Sequence, residues 1–256
     1  MASDVPLRLD PAHLSVVAEH EDPRYAELIK AALGGARSIV NVWAGAGAYE
    51  PEGSYVVPIE PRAGLAERRG GHQAPAIRAS PGALPLFDDS VDAAMAIRAV
   101  HEWGTQREAG VREMRRVARG PVVIMTLDLE VSSSMWLAQD YLPQLAQLNG
   151  ELYPDVEQVV DWLGGTVEVL TVPVPRDSTD WPLSSAWAKP ERLCGPEGRA
   201  RSRTLALLPP DVVDHGLQKL ERDLLDGRWD RRHGHLRALY EHDVGLRLIV
   251  GHPSQR

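Results

Sequence analysis

The stretch from Ile39 to Glu60 holds the residues whose types and spacing point most directly to chemistry. An apolar run, Ser38 to Val42, leads into Trp43-Ala44-Gly45-Ala46-Gly47, and a second run, Tyr55 to Ile59, closes on Glu60. Small residues at the carboxyl end of a strand let backbone N–H groups come close to a ligand. An acid ending the next strand can accept hydrogen bonds from a ribose diol. The glycine pair alone reads better as a tight turn; its place after a strand and before Glu60 raises the case for a nucleoside site. A second candidate is His101, which follows the apolar run Val91 to Val100. With an ordinary pKa of about 6.5 it suits general base work, or else it caps the strand end or supports Trp103. His233 and His235 form a His-x-His pair near Asp230, but Arg231 and Arg232 precede it and no cysteine or further carboxylate completes a ligand set. No metal is expected there.

These residues need elements to position them. Asp22-Pro23 reads as an N-cap and first helical position, followed by Tyr25, Leu28, Ile29, Ala32 and Leu33 at helical spacing, with Gly34-Gly35 as the stop. Ser38 to Val42 and Tyr55 to Ile59 read as buried strands, Ala76 to Ala79 as a third, Val91 to Val100 as a fourth and Pro121 to Leu127 as a fifth. Between the last two, Glu108 to Arg119 carries Val111, Met114 and Val117 on one side and Arg112, Arg115, Arg116 and Arg119 on the other, an amphipathic helix with a solvated face. This alternation predicts an open, mostly parallel α/β sheet. Residues 129–163 read as helical with interruptions at Pro143, Gly150 and Pro154. Thr166 to Val174 and Gly245 to Val250 read as two more strands, and between them lies a helix after Pro209-Pro210 with Val213, Leu217, Leu220 and Leu224 on one stripe and Gly227 as the stop.

The composition bounds the partners. Against 28 Lys and Arg stand 36 Asp and Glu, for a formal charge of −8, so nucleic acid is not expected as a partner and the arginine-rich helix face reads as solvated. Hydrophobic residues at 43% are enough for a real core. No apolar run approaches the roughly 20 residues of a membrane span, and Asp4 and Pro6 lie where a signal peptide needs apolar residues, so a cytoplasmic protein is expected. The lone cysteine, Cys194, excludes an internal disulfide. Seven Trp and six Tyr against a single Phe are unusual, because Trp and Tyr carry a polar handle suited to half-buried pockets.

Several short motifs occur in an order that resembles one known family. They are Asn41 to Pro51, Val56 to Pro61, Ala83-Leu84-Pro85 followed by Asp88 to Asp92, Val100 to Trp103, and Glu113 to Arg119. Together they resemble the class I S-adenosylmethionine-dependent methyltransferases, in particular the small-molecule subgroup in which Tyr-Glu-Pro follows the Gly-rich loop. The likeness covers residues 20–130 well and continues more weakly through Asp177 to Asp180 and Trp229 to His235. It implies a Rossmann-like, seven-stranded, mostly parallel sheet whose last strand is antiparallel. The whole chain would be one domain, with a core of 22–128, 166–174 and 243–251 and lid or insert elements 1–21, 129–165 and 175–242. The resemblance places S-adenosylmethionine against Asn41, Trp43, Gly45 and Gly47, with Glu60 on the ribose and Ser80 near the adenine. Arg98 and His101 would face the transferred methyl group and the acceptor.

Three positions depart from the family pattern. Trp43 stands where the loop ordinarily has its first glycine, the residue that combines positive φ with a bare backbone; it either redirects the loop or places an indole in or beside the cofactor cleft, where it could exclude the methionine arm. Asn41 replaces an acid and drops a charge. Pro51 limits the usual helix after the loop to a turn at most. In the insert, the resemblance points to an acceptor pocket, for which Tyr141, Trp181 and Trp187 are candidate walls and Asp177 and Asp180 either orient a hydroxyl or amine or cap turns. The expected function is methyl transfer to a small molecule in secondary metabolism. The alternatives are a cyclisation or isomerisation on the same fold without methyl transfer, motivated by Trp43, and a non-catalytic binding protein.

Overall fold

The computed structural model describes residues 21–178, 180, 183–195 and 202–253. Strands β1 (Ser38–Val42), β2 (Tyr55–Ile59), β3 (Ala93–Ile97) and β4 (Val122–Leu127) are parallel, and β5 (Thr166–Thr171) and β8 (Leu246–His252) complete a sheet of order β2-β1-β3-β4-β8-β5. The expected antiparallel last strand is present: β8 runs antiparallel to β4 on one side and to β5 on the other. A small pair, β6 (Val174–Pro175) and β7 (Glu241–His242), stands apart. The strand period of two divides the core. Ile39, Met95, Val123, Met125 and Leu248 face helix α1 (Pro23–Ala32) and the insert, whereas Val40, Val42, Ala94, Ala96, Ile124 and Ile249 face α3 (Arg107–Val117) and α6 (Val156–Leu163).

Among the described residues the main sheet has six strands, one fewer than expected, because Ala76 to Ala79 contributes only a single bridge, Ile59 to Ile77. The reason is a lack of donors. Ile77 donates to the Pro58 carbonyl and accepts from the Glu60 amide, but extending the ladder one way calls on Pro58 and Pro75, which have no N–H. Extending it the other way calls on the Arg62 amide, which donates instead to the Glu60 carboxylate at 2.9 Å. The fourth expected strand is also shorter. It stops at Ile97 because Arg98 adopts φ of 54° and leaves the β region. Pro173 separates β5 from β6, dividing the expected run Thr166 to Val174.

The helices agree better. Asp22 accepts from the Arg24 amide and starts α1, and a single-turn α2 (Ala63–Ala66) follows β2. After β4 come α4 (Leu129–Ser134), a π-turn over Leu137–Tyr141, α5 (Gln144–Leu152) and α6. Gly150 lies inside α5 rather than interrupting it. Further on are α7 (Arg203–Ala206), α8 (Pro210–Leu225), which buries Val213, Leu217 and Leu220, and α9 (Arg228–His233). None of the described helices is long and apolar enough to cross a membrane.

Helix α3 holds the segment before β3 through one carboxylate. Glu113 accepts from the Leu84 amide at 2.8 Å and from two nitrogens of Arg116, which also donates to Asp88 and to the Leu86 carbonyl. The Arg116 hydrogen bond, with help from the Leu84 amide, holds the Glu113 carboxyl below its ordinary value. A depressed folded pKa stabilises above the unfolded value of about 4.3 and is lost as pH falls through the folded one. Glu113→Gln is therefore expected to lower stability by about 1 kcal/mol near neutral pH, or roughly 2–4 °C in Tm. The gap to wild type should close towards pH 3, and a gap independent of pH in parallel melts would contradict the assignment.

Candidate functional site

A polar cleft of about 530 Å³ opens at the carboxyl ends of β1, β2 and β3, lined by Asn41, residues 43–49, Arg62, Arg68, Gln73, Arg98 and Glu102, among others. Its floor is the turn after β1. The Trp43 and Ala44 amides both donate to the Ile59 carbonyl, which folds the turn back onto the end of β2. Trp43 adopts φ of 68° and Gly45 φ of 54°, so the tryptophan takes the left-handed conformation that a glycine would adopt without strain. Gly47 is favoured by its backbone, whose φ of 93° strains any other residue; a Cβ there would also displace the Gln73 side chain, whose Nε2 lies 2.2 Å from that position. As Pro51 predicts, no helix follows the turn. Asn41 donates to Glu50 at 2.9 Å, and Arg69 pairs with the other oxygen of that carboxylate at 2.6 Å.

Glu60 is fully buried at the end of β2. One oxygen accepts from the Arg62 amide at 2.9 Å and Arg62 Nε at 2.7 Å; the other accepts from the Gly45 amide at 2.8 Å and Arg62 Nη2 at 3.0 Å. Arg62 reaches on to Glu102 through Nη1, and the same Glu102 oxygen accepts from Trp43 Nε1. The guanidinium lies 4.9 Å from the centre of the Trp43 ring, within cation–π range. The Trp43 indole is thus a wall of the cleft, clamped between Arg62 and Glu102.

Two further lining residues, Tyr49 and Arg98, belong to a buried ionic group. Asp180 accepts from Arg98 Nη1 at 2.6 Å and from the Tyr49 hydroxyl, which itself accepts from the Asp22 amide at 3.0 Å. Burial, reinforced by the Asp180 charge, pushes the Tyr49 phenol well above its ordinary pKa, so Tyr49 remains a hydrogen-bond donor. His101, in the turn Val100–Glu102, stacks on Tyr153 at 4.5 Å with 19° between the rings. Its Nε2 is 3.9 Å from Glu102 Oε1. Tyr153 also lines a second, apolar cavity of about 70 Å³ under the insert, together with Met135, Trp136, Leu145, Trp187 and Val244.

The residues expected from the sequence are therefore only partly brought together. Asn41, Trp43, Gly45, Gly47 and Arg98 line the cleft, and Glu60 lies directly beneath the Gly45 amide. Ser80 does not line it; the Ser80 hydroxyl donates to Gln106 Oε1. Trp187 lines the cavity under the insert, but Tyr141 does not, and its hydroxyl donates to Asp223 at 3.1 Å. Asp177 is exposed and pairs with Arg24 at 2.8 Å, while Asp180 is buried and pairs with Arg98, which lines the cleft. Trp181 lies outside the described residues, as does most of the insert 1–21. His233 bonds Asp140 at 2.7 Å, and no group of three His, Cys, Asp or Glu suited to a metal occurs among the described residues. Arg62, Glu102 and Tyr153 escape the sequence reading. Glu102 falls within the Val100 to Trp103 motif, and Arg62 leaves a local signal, since Glu60-Pro61-Arg62 sets a cation two residues from an acid across a rigid link.

No protein-family model matches the chain, and no curated protein matches it. Solved structures do. A proposed methyltransferase from an antibiotic biosynthesis pathway of Anabaena variabilis superposes with a TM-score of 0.82 at 29% identity, over 90% of this chain and 97% of that one. The chain belongs to the class I S-adenosylmethionine-dependent methyltransferase superfamily. Within the superfamily fold, more distant similarity extends to an S-adenosylmethionine-dependent methyltransferase from Thermotoga maritima, with a TM-score of 0.51 at 13% identity over 90% of this chain and 87% of that one. It also extends to the [4+2]-cyclase SpnF, at 0.51 and 16% identity over 91% and 82%. These two share the superfamily architecture and nothing finer.

Proposed function

We propose that this chain transfers a methyl group from S-adenosylmethionine to a small-molecule acceptor in secondary metabolism. The observation that carries the reading is the polar cleft at the strand ends, floored by the glycine turn over Glu60. Its volume falls within the roughly 300–1,000 Å³ of small-molecule sites, and a Cβ on Gly45 would meet nothing within 4 Å, which leaves the turn bare on that side. A carboxylate ends β2, as a ribose diol requires. The residues fit an adenosyl amino acid once Arg62 yields Glu60. The antibiotic pathway ascribed to the Anabaena protein supports a secondary-metabolic acceptor.

In this reading Asn41 and the turn 43–47 hold the amino-acid arm, and Glu60 holds the ribose hydroxyls. The bound cofactor supplies a methyl carbon on a sulfonium. The protein's main contribution is alignment, since displacement needs the reacting atoms in line and about 3–3.5 Å apart. Arg98, neutralised by Asp180, is a positioning residue that fixes Tyr49 and the cleft wall. His101 takes the proton released when the acceptor is a hydroxyl or amine, and the cavity reached through Tyr153 takes an apolar portion of the acceptor.

Calorimetric titration with S-adenosylmethionine and S-adenosylhomocysteine is expected to give saturable, micromolar-range binding. Absence of heat up to millimolar ligand would sink the proposal. The saturation of Glu60 by Arg62 favours a second reading in that event, a cyclisation or isomerisation in the insert cavity without a nucleoside cofactor.

A further inference from the structure

We propose that Arg62 is a specificity-determining stopper of the ribose subsite, a role that rests on the cofactor reading above. Glu60 has four donors on its two oxygens and no exposed surface. Two of those donors, Nε and Nη2 of Arg62, approach as a fork. A vicinal diol would approach a carboxylate in the same way, so the guanidinium side chain and the diol compete for one acceptor. Their strengths differ: the bonds from Arg62 are charge-assisted and those from a diol are not. The diol therefore enters only in the fraction of molecules in which Arg62 has withdrawn, and the apparent dissociation constant rises by the inverse of that fraction.

Withdrawal has a defined landing site. Nη1 of Arg62 is already on Glu102, and the Trp43 ring lies under the guanidinium. Arg62 can release Glu60 by turning about Glu102 without becoming an unpaired charge in the cleft. Trp43 Nε1 donates to the same Glu102 oxygen and holds that anchor in place. The family's first loop glycine is thus replaced by a side chain that serves the stopper. Trp43 and Arg62 thus form one device, which selects for ligands able to offer Glu60 two hydroxyls at once.

The test is calorimetry on the full chain with S-adenosylhomocysteine, adenosine and 2′,3′-dideoxyadenosine. Arg62→Gln is expected to bind the first two at least about tenfold more tightly than wild type, with no gain for the dideoxynucleoside. Glu102→Gln, which removes the landing charge and keeps Glu60 engaged, is expected to bind S-adenosylhomocysteine several-fold more weakly. Should Arg62→Gln fail to fold around a buried Glu60 that has lost its cation, the Glu102→Gln loss remains decisive. If wild type binds and neither variant changes the affinity, the stopper is overturned while the cofactor reading survives. If neither wild type nor Arg62→Gln binds at millimolar ligand, the cofactor reading fails and the stopper fails with it.

Discussion

Asp180→Ala is expected to cost about 3–5 kcal/mol of stability, the range found when one partner of a buried ion pair is removed. Asp180 is 4% exposed and Arg98 16%, and the mutation leaves the guanidinium without this carboxylate and the Tyr49 hydroxyl without its acceptor. The cost is larger than that of a surface pair because the remaining charge is poorly solvated. Arg98 cannot shed its proton to escape. Urea unfolding of Asp180→Ala, Arg98→Ala and the double variant separates the pair from its surroundings. The double variant should lose less than the sum of the singles, since removing both charges leaves neither partner of the pair as an isolated charge, although the Tyr49 hydroxyl still lacks its acceptor. A single-variant loss within about 1 kcal/mol would mean that water screens the pair as on a surface. The same change should loosen one wall of the cleft, because Tyr49 and Arg98 both line it.

Trp229→Ala should be comparably severe, at about 3–5 kcal/mol for truncating a buried tryptophan. Trp229 is fully buried, stands edge-on to Trp136 at 5.5 Å and carries Arg237 over its ring at 4.7 Å. Trp136 in turn donates to the Trp187 carbonyl at 2.9 Å, and Trp136 and Trp187 both line the cavity under the insert. Removing Trp229 therefore creates a void beneath the residues that shape that cavity. Trp229→Phe keeps a ring in place and should recover most of the loss. Chemical denaturation gives the energies, and near-UV circular dichroism reports whether the remaining tryptophans keep fixed surroundings. Retention of wild-type stability by Trp229→Ala would show that the insert repacks freely.

The Trp excess, conspicuous in the composition, thus separates by position. Trp229, Trp136 and Trp187 build the core and cavity wall of the insert, where a large ring fills space between helices and loops. Trp43 belongs to the cleft, held by a cation and a carboxylate that lie far from it in the chain. Composition counts these residues without distinguishing them, because both settings demand a broad apolar face with one polar atom at its edge.

Local chemistry was enough for much of the architecture. Hydrophobic period, the Asp22-Pro23 start of α1 and the glycine turn between β1 and Glu60 each act over a few residues. The sequence by itself therefore determined most of the strand and helix order and put Asn41, Trp43, Gly45 and Gly47 at the end of β1, where they line the cleft. Where the sequence misled, the missing information was a partner. Ala76 to Ala79 has the apolar character of a strand, but its ladder is interrupted by Pro58 and Pro75 and by the commitment of the Arg62 amide to Glu60. Tertiary structure alone decided that Asp180 serves Arg98 and Tyr49, that Asp177 faces solvent, and that Arg62 bridges Glu60 to Glu102. Each outcome depends on charges brought together across tens of residues of chain, and the energy of such pairs depends on burial that no local segment encodes.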